Sequence, residues 1–241
     1  MKVVDYIAVK IERFPKGYVF TYADFITDVN NREAVIKALN RMAKSGKIGK
    51  LAKGRFYKPE ITAFGNLMPY QKQIVKDLLE QDGKTIGYLT GYSIYNQLGI
   101  TTQMSTVIQI GRNEVRPAFK RGMYRISFIR QKNTISKENI PLLQLLDTIR
   151  NIKKIPDTTV DSACKRLLTI FKKLGSKDKT TIVRLALKYP PATRALLGAL
   201  LDEAVQGALT EPLLNSLNPI TKYKLAGAAK VLSTTEKWSI V

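Results

Sequence analysis

The sequence of 241 residues contains no histidine and a single cysteine, Cys164. Without histidine, the chain cannot carry a Ser-His-Asp triad, a Cys-His nucleophile pair or a histidine-ligated zinc ion. One cysteine cannot form an intrachain disulfide, and we expect Cys164 to be a small buried apolar residue. The lack of these residues excludes several common catalytic and metal-binding arrangements.

Long apolar runs and nucleotide-binding glycine motifs are also missing. Charged residues interrupt every window long enough to cross a bilayer, and Asp5 and Glu12 lie where a signal peptide would be apolar. We therefore expect a cytoplasmic protein with no membrane partner. Asp202-Glu203 is interpreted as a solvated helix edge, because adjacent helical residues point to different sides. No phosphate-binding loop occurs, so we predict a non-enzymatic protein with no cofactor and no metal site.

The charge of the chain is strongly positive. It has 40 Lys and Arg against 19 Asp and Glu, a formal net charge of +21. Residues 1–60 carry 13 basic and 6 acidic side chains, residues 61–155 carry 14 and 6, and residues 156–241 carry 13 and 7. Because the excess is spread evenly, each section is expected to be basic on its own folded surface and to favour a polyanion.

The first sixty residues have the pattern of three helices followed by a hairpin. Apolar residues at helical spacing predict the first and third helices, at Val3, Ile7, Ile11 and Phe14 and at Val35, Leu39 and Met42. Thr21 and Asp24 are close to a capping box for a short second helix, Asn30-Asn31 form a turn and cap, and Gly46 is a left-handed stop signal. Two short strands around Ala52-Lys53-Gly54 complete a winged helix-turn-helix plan.

This plan predicts a DNA-binding surface. The third helix would enter the major groove, where Arg reads guanine and Asn reads adenine, while the basic hairpin would contact phosphates. The candidate DNA-binding residues are Asn31, Arg32, Lys37, Asn40, Arg41, Lys44, Lys50, Lys53, Arg55 and Lys58. An ordinary solvated face is the alternative, and winged helices also serve as protein docking modules.

Residues 61–155 indicate a small mixed α/β section. Residues 59–69 are interpreted as a connector, Tyr70–Glu80 as a helix, and Val107–Ile110 and Tyr124–Ile129 as strands. Tyr88, Tyr92 and Tyr95 are spaced as one helical stripe, which is either core or a base-stacking surface. A second group of candidate contacts, for a polyanion or a partner, lies in the link between the strands: Arg112, Arg116, Lys120 and Arg121.

The remaining residues, 156–241, predict a helical unit. The expected helices are Val160–Leu174, Lys177–Tyr189, Pro191–Gln206 and Glu211–Ser216, with Trp238 as an anchor or an interface residue. The predicted fold class is therefore α+β, mostly α. Its expected domains are a winged helix-turn-helix at 1–60, an α/β section at 61–155 and a helical section at 156–241.

Several segments resemble the AbiEi-type antitoxins of bacterial abortive-infection toxin–antitoxin modules, which belong to type IV. The segments that carry the resemblance are Phe14–Phe20, Ala38–Ile48, Lys53–Tyr57, Gly87–Tyr92, Tyr189–Leu200 and Leu217–Leu225. The resemblance implies an N-terminal domain that binds operator DNA and represses its own promoter. It implies that the rest of the chain counteracts a cognate nucleotidyltransferase toxin, without necessarily forming a tight complex with it.

Three hypotheses follow from these patterns. The first is a DNA-binding antitoxin and autorepressor, whose partners are double-stranded operator DNA and the toxin. The second is a stand-alone transcription regulator, which an absent neighbouring toxin gene would favour. The third is an RNA-binding protein that uses the tyrosine stripe and the basic link between the strands.

Overall fold

The computed structural model describes residues 2–26, 29, 31–204 and 208–241. Helices and strands are mixed along the chain, which confirms the predicted α+β class. Contacts between residues divide the chain into two units, the first formed by 1–78 with 120–124 and the second by 79–119 with 125–241. The three domain ranges expected from the sequence stay a prediction. Within the described residues, no helix combines the length and the apolar character needed to span a bilayer.

The first unit begins with a helix and alternates short strands with helices. In chain order, its elements are α1 (Val3–Glu12), β1 (Val19–Thr21), α2 (Ala23–Ile26), α3 (Arg32–Lys44), β2 (Gly49–Ala52), β3 (Arg55–Tyr57), β4 (Glu60–Thr62), β5 (Gly65–Leu67), α4 (Gln71–Ile74) and most of α5 (Lys76–Leu79). Strands β1, β3 and β2 form an antiparallel sheet in that order. Its core contains the residues that the helical spacing predicted, including Ile7, Ile11, Val35, Leu39 and Met42.

Helix α3 has a defined start and end. The Asn31 side chain accepts a hydrogen bond from the Ala34 amide at 3.0 Å, which caps the first turn as predicted. Gly46 has a φ of +75°, and the Lys47 amide bonds back to the Met42 carbonyl, so the predicted left-handed stop is confirmed. The Asn30 part of the predicted turn lies outside the described residues.

Two expectations for residues 59–80 are wrong. The segment interpreted as a connector forms the β4–β5 hairpin, in which apolar side chains such as Ile61 and Phe64 are exposed. The helix predicted over Tyr70–Glu80 is divided into α4 and α5 at Val75, whose φ of −116° and ψ of 17° depart from helical values.

The second unit places a small sheet beside a group of helices. Its elements are β6 (Glu80–Gln81), β7 (Lys84–Thr85), β8 (Gly87–Thr90), α6 (Tyr92–Gln97), β9 (Val107–Arg112), β10 (Phe119–Arg121, partly in the first unit), β11 (Tyr124–Arg130), α7 (Ile140–Arg150), α8 (Val160–Lys173), α9 (Ser176–Ala186), α10 (Pro191–Ala204) and α11 (Glu211–Asn215). Strand β9 pairs in parallel with β11 and antiparallel with β8, so the two strands predicted from the sequence are confirmed.

The tyrosine stripe predicted from the sequence is wrong. Tyr88 lies on strand β8, whereas Tyr92 and Tyr95 lie on helix α6, and Gly91 separates the two elements with a φ of +76°. The helical spacing of the three tyrosines is therefore a coincidence, because Tyr88 belongs to a strand that ends before the helix begins. Tyr88 and Tyr95 are buried, which confirms the core interpretation for those two side chains.

Two residues singled out in the sequence, Cys164 and Trp238, are buried among the helices of the second unit. Cys164 is fully buried, as expected, and burial raises the pKa of its thiol to about 12. Trp238 is also fully buried and docks on α10, where its indole nitrogen donates to Asp202 at 2.9 Å. The predicted end of the α10 helix at Gln206 lies outside the described residues.

Candidate nucleic-acid interface

One face of α3 is apolar and the opposite face is cationic. Val35, Leu39 and Met42 are buried, whereas Lys37, Arg41 and Lys44 are exposed at successive spacings of four and three residues. Such spacing places the three cations on one side of the helix. Lys37 lies 3.8 Å from Glu33, and both side chains are more than three-quarters exposed, so this pair is a weak surface contact.

The hairpin of β2 and β3 carries the second cationic group of the first unit. Lys50 and Lys53 are exposed, with Lys53 at the turn. Gly54 follows with a φ of +70°, and a Cβ atom there would lie 2.7 Å from the Tyr22 ring. A glycine is therefore needed both for the turn and for the approach of Tyr22.

Asn31, Arg32 and Asn40 are exposed but already engaged. The Arg32 guanidinium lies 5.9 Å from the centre of the Tyr22 ring, which orients it at the start of α3. The Asn31 side-chain oxygen caps the helix, and the Asn40 side-chain amide donates to the Ile36 carbonyl at 2.9 Å. Either asparagine would have to exchange such a contact to read an adenine, which the sequence did not indicate.

Arg55 and Lys58 differ from the exposed contacts expected of them. Arg55 is about one-quarter exposed and donates to Asp77 at 2.8 Å. Lys58 donates to the Glu12 carbonyl oxygen at 2.7 Å, and its ammonium lies 3.4 Å from the Glu12 carboxylate. Both side chains tie elements of the first unit together, because their charges are paired within it.

The second group of predicted contacts is not one loop. Arg112 ends β9 and is half-buried, while Arg116 is exposed and stacks its guanidinium at 5.1 Å from Phe119 and 5.2 Å from Phe128. Lys120 is exposed, but Arg121 is only 6% exposed. The expectation that Arg121 is a surface contact is wrong, because its guanidinium is held by Asp77 and by the Ile74 carbonyl.

Asp77 and Tyr22 make contacts in this region that the sequence pattern does not indicate. Asp77 pairs with Arg55 and Arg121, which are 22 and 44 residues away. Tyr22 lies beside both Arg32 and Gly54. A periodic pattern within one element carries no information on either relationship, since the partners belong to different elements.

A buried polar network lies in the second unit. Tyr88 and Thr90 donate to one carboxylate oxygen of Asp147 at 2.7 and 3.0 Å, and Tyr189 donates to the other at 2.8 Å. The Gln131 amide nitrogen lies 2.8 Å from both tyrosine oxygens. Burial raises the pKa of Asp147, although hydrogen bonds from its three donors oppose that effect.

These features define a basic chain of mixed α and β structure, whose first unit presents cations on one helix and on one hairpin. The chain belongs to the DUF6088 family, a family of unknown function, whose model matches residues 6–182. No curated protein matches it.

A solved structure shares the fold across almost the whole chain. It is the crystal structure of the Rv2827c protein from Mycobacterium tuberculosis, with a TM-score of 0.61 at 14% identity. The alignment covers 99% of this chain and 89% of that one. At this identity the likeness shows the fold alone.

Proposed function

We propose that this protein is a non-enzymatic, DNA-binding antitoxin that represses its own promoter and counteracts a nucleotidyltransferase toxin. The observation that carries the DNA-binding part is the exposed set Lys37, Arg41 and Lys44 on α3, opposite a buried apolar face. The antitoxin part rests on the resemblance of the sequence segments to AbiEi-type antitoxins. Operator DNA is the proposed polyanion, and the cytoplasm is the proposed location.

The order of elements supports a winged helix-turn-helix in residues 1–60. Helix α1, strand β1, helices α2 and α3, and the hairpin of β2 and β3 follow one another in the order of that motif. In this arrangement α3 is the recognition helix and the hairpin is the wing. The exposed positions of Lys50 and Lys53 suit phosphate contacts, which position a protein on a duplex without reading its sequence.

The burial of two tyrosines weakens the RNA-binding alternative. Tyr88 is 1% exposed and Tyr95 is 4% exposed, so neither ring offers a face for a base. Base reading is instead assigned to Arg32 and Arg41, because arginine pairs with two acceptors of guanine in the major groove. DNA binding is therefore the function that the exposed side chains favour.

Binding to the DNA upstream of the protein's own gene tests the repressor part. Fluorescence anisotropy compares this duplex with a scrambled duplex of the same composition, using the full chain. We expect affinity at least about 1,000-fold higher for the upstream duplex, as is common for specific DNA binders. Equal affinity for the two duplexes would contradict the repressor part.

Co-expression tests the antitoxin part separately. The neighbouring gene is expressed alone and together with the full chain, and growth is measured. We expect the chain to restore growth and to do so equally well when Lys37 and Arg41 are changed to Gln. A chain that binds its promoter but restores no growth would be a stand-alone regulator.

A further inference from the structure

A cationic cleft lies in the second unit. Its residues are distant in the sequence from α3 and from the hairpin of β2 and β3. Its volume is about 520 Å³, and it lies where β11 ends, where α7 ends and just before α10 begins. We use "cationic cleft" for this space, which is lined by Arg130, Gln131, Lys132, Arg150, Lys188 and Tyr189 among others. Volumes of this size are typical of small-molecule sites.

The lining of the cleft has charge of one sign. Arg130, Lys132, Arg150 and Lys188 are exposed, and no acidic residue lines the space with them. Among the residues that the structure describes, none of these four cations has a carboxylate within ion-pair distance. Lys188 makes a long contact of 3.4 Å with the Lys132 carbonyl, which holds two parts of the rim together. Four cations with no ion-pair partner among the described residues favour an anionic ligand.

The floor of the cleft is rigid because it belongs to the Asp147 network. Gln131 and Tyr189 are 4% and 7% exposed and bond to each other at 2.8 Å. Each cation lies within three residues of a network member, since Arg130 and Lys132 flank Gln131, Lys188 precedes Tyr189, and Arg150 follows Asp147 by three. The network therefore fixes the backbone segments from which the cations project, a form of preorganisation.

The chemistry of these side chains matches phosphate groups. Arginine offers two parallel donors that fit phosphate oxygens, and lysine adds a compact charge. Asp147 lies beneath the floor, where its carboxylate oxygens already accept hydrogen bonds from Tyr88, Thr90 and Tyr189. Four cations in a small-molecule volume correspond to a ligand with several negative charges.

We propose that the cationic cleft binds the phosphate groups of a small molecule that carries two or more of them. A nucleoside polyphosphate and an inorganic polyphosphate share this chemistry. The site is independent of the DNA-binding face on α3, and its test does not depend on whether that face binds DNA.

Isothermal titration of the full chain tests the site with two probes, inorganic tripolyphosphate and ATP. We expect one binding site per chain for each probe. Changing Arg150 and Lys188 to Gln together is expected to raise the Kd for both probes by about tenfold or more, because two charge-assisted contacts are lost. The control changes Lys172 and Lys173 to Gln, which removes the same charge from exposed positions outside the cleft, and is expected to alter Kd by less than about threefold.

Comparison of the two probes separates the sources of the phosphate. Equal affinities would indicate recognition of the phosphates alone, and tighter binding of ATP would indicate contacts with the nucleoside as well.

The proposal is overturned if neither probe binds, or if the two variant pairs lose affinity equally, which would indicate a diffuse field. It is also overturned if the cleft variant weakens binding of an oligonucleotide about tenfold while binding of the small probes is unchanged. Unchanged melting temperatures of the variants verify that both remain folded.

Discussion

Asp77 holds Arg121 through both of its carboxylate oxygens, with N–O distances of 2.7 and 3.0 Å. The same Asp77 also accepts from Arg55 at 2.8 Å, so one carboxylate is shared by two guanidinium groups. These two cations were counted among the candidate contacts for a polyanion. Their pairing shows that a basic residue can stabilise the fold of a unit instead of contributing to a binding surface.

Replacement of Asp77 by Asn is expected to destabilise the first unit. Arg121 is 6% exposed, and the substitution removes the carboxylate that pairs with its buried guanidinium. We expect a loss of about 2–3 kcal/mol in the free energy of unfolding, less than the roughly 3–5 kcal/mol for a fully buried pair because Asp77 is partly exposed. Chemical denaturation measures it. Glu114→Gln, at an exposed position, is the control with a small effect, and equal values for the two variants would contradict the pairing.

Asp147→Asn is expected to destabilise the second unit and to change its pH dependence. An amide cannot accept from Tyr88, Thr90 and Tyr189 as the carboxyl does, so we expect a loss of about 2–4 kcal/mol. Burial raises the pKa of Asp147 above the unfolded value of about 3.9. The stability that the protonated Asp147 carboxyl contributes is therefore fully present below the unfolded pKa. It is lost as the pH rises through the folded pKa of Asp147.

Urea denaturation at a series of pH values tests the direction of this pH dependence of stability. The gap in stability between the wild-type protein and Asp147→Asn is expected to narrow as the pH rises, because only the wild-type protein must ionise the buried carboxyl. Groups common to both proteins cancel in the difference. A gap that widens with rising pH would show that the carboxyl is stabilised in its charged form.

Gly198→Ala is expected to disturb the docking of Trp238. A Cβ atom at position 198 would overlap the indole ring, and neither the ring nor the helix backbone has room to move freely. Overpacking costs about 1–3 kcal/mol, and the helix preference of alanine returns about 1 kcal/mol at most. We expect a net loss, partly restored in Gly198→Ala/Trp238→Phe.

Gly175→Ala is the matched control for that substitution. No atom lies within 4 Å of a Cβ built at Gly175, whose φ of −67° is ordinary for any residue. Thermal unfolding of the variants measures the difference. Similar melting temperatures for the alanine variants at 198 and 175 would contradict the close packing of Trp238.

Arg32→Ala and Lys53→Ala are expected to affect DNA binding differently. Arg32 lies at the start of α3, so its loss is expected to lower the preference for the upstream duplex, at a cost of about 1–3 kcal/mol. Lys53 lies on the hairpin, and its loss is expected to weaken all duplexes alike and to reduce the slope of log K against log salt by about 0.9. Anisotropy titrations over a salt series measure both. A change of preference in Lys53→Ala would contradict its assignment to phosphate.

Local signals account for the parts of the fold that the sequence predicted. Asn31 and Gly46 delimit α3, and the alternation of apolar and polar residues over Tyr124–Ile129 indicated β11. Such signals lie within one element and reflect its own periodicity or cap. The helix over Tyr70–Glu80 was predicted too long because apolar spacing alone does not detect the change of backbone angles at Val75.

Contacts between residues that are far apart in the chain could not be predicted from patterns within one segment. Asp147 receives Tyr88 and Tyr189 from positions 59 and 42 residues away, and the four cations of the cationic cleft come from three segments. Within the chain each of these residues resembles an ordinary core or surface residue. Only their proximity in the fold reveals a network or a site.

The proposed DNA recognition depends on the exposed cations of α3, and their removal is its sharpest test. The triple variant Lys37→Gln/Arg41→Gln/Lys44→Gln is compared with Lys172→Gln/Lys173→Gln/Lys177→Gln, which loses the same charge from exposed positions in the second unit. Affinity for the upstream duplex is measured at one fixed salt concentration. We predict a loss of about 30-fold or more for the α3 variant and less than about threefold for the other. Equal losses in the two variants would contradict recognition of DNA by this helix.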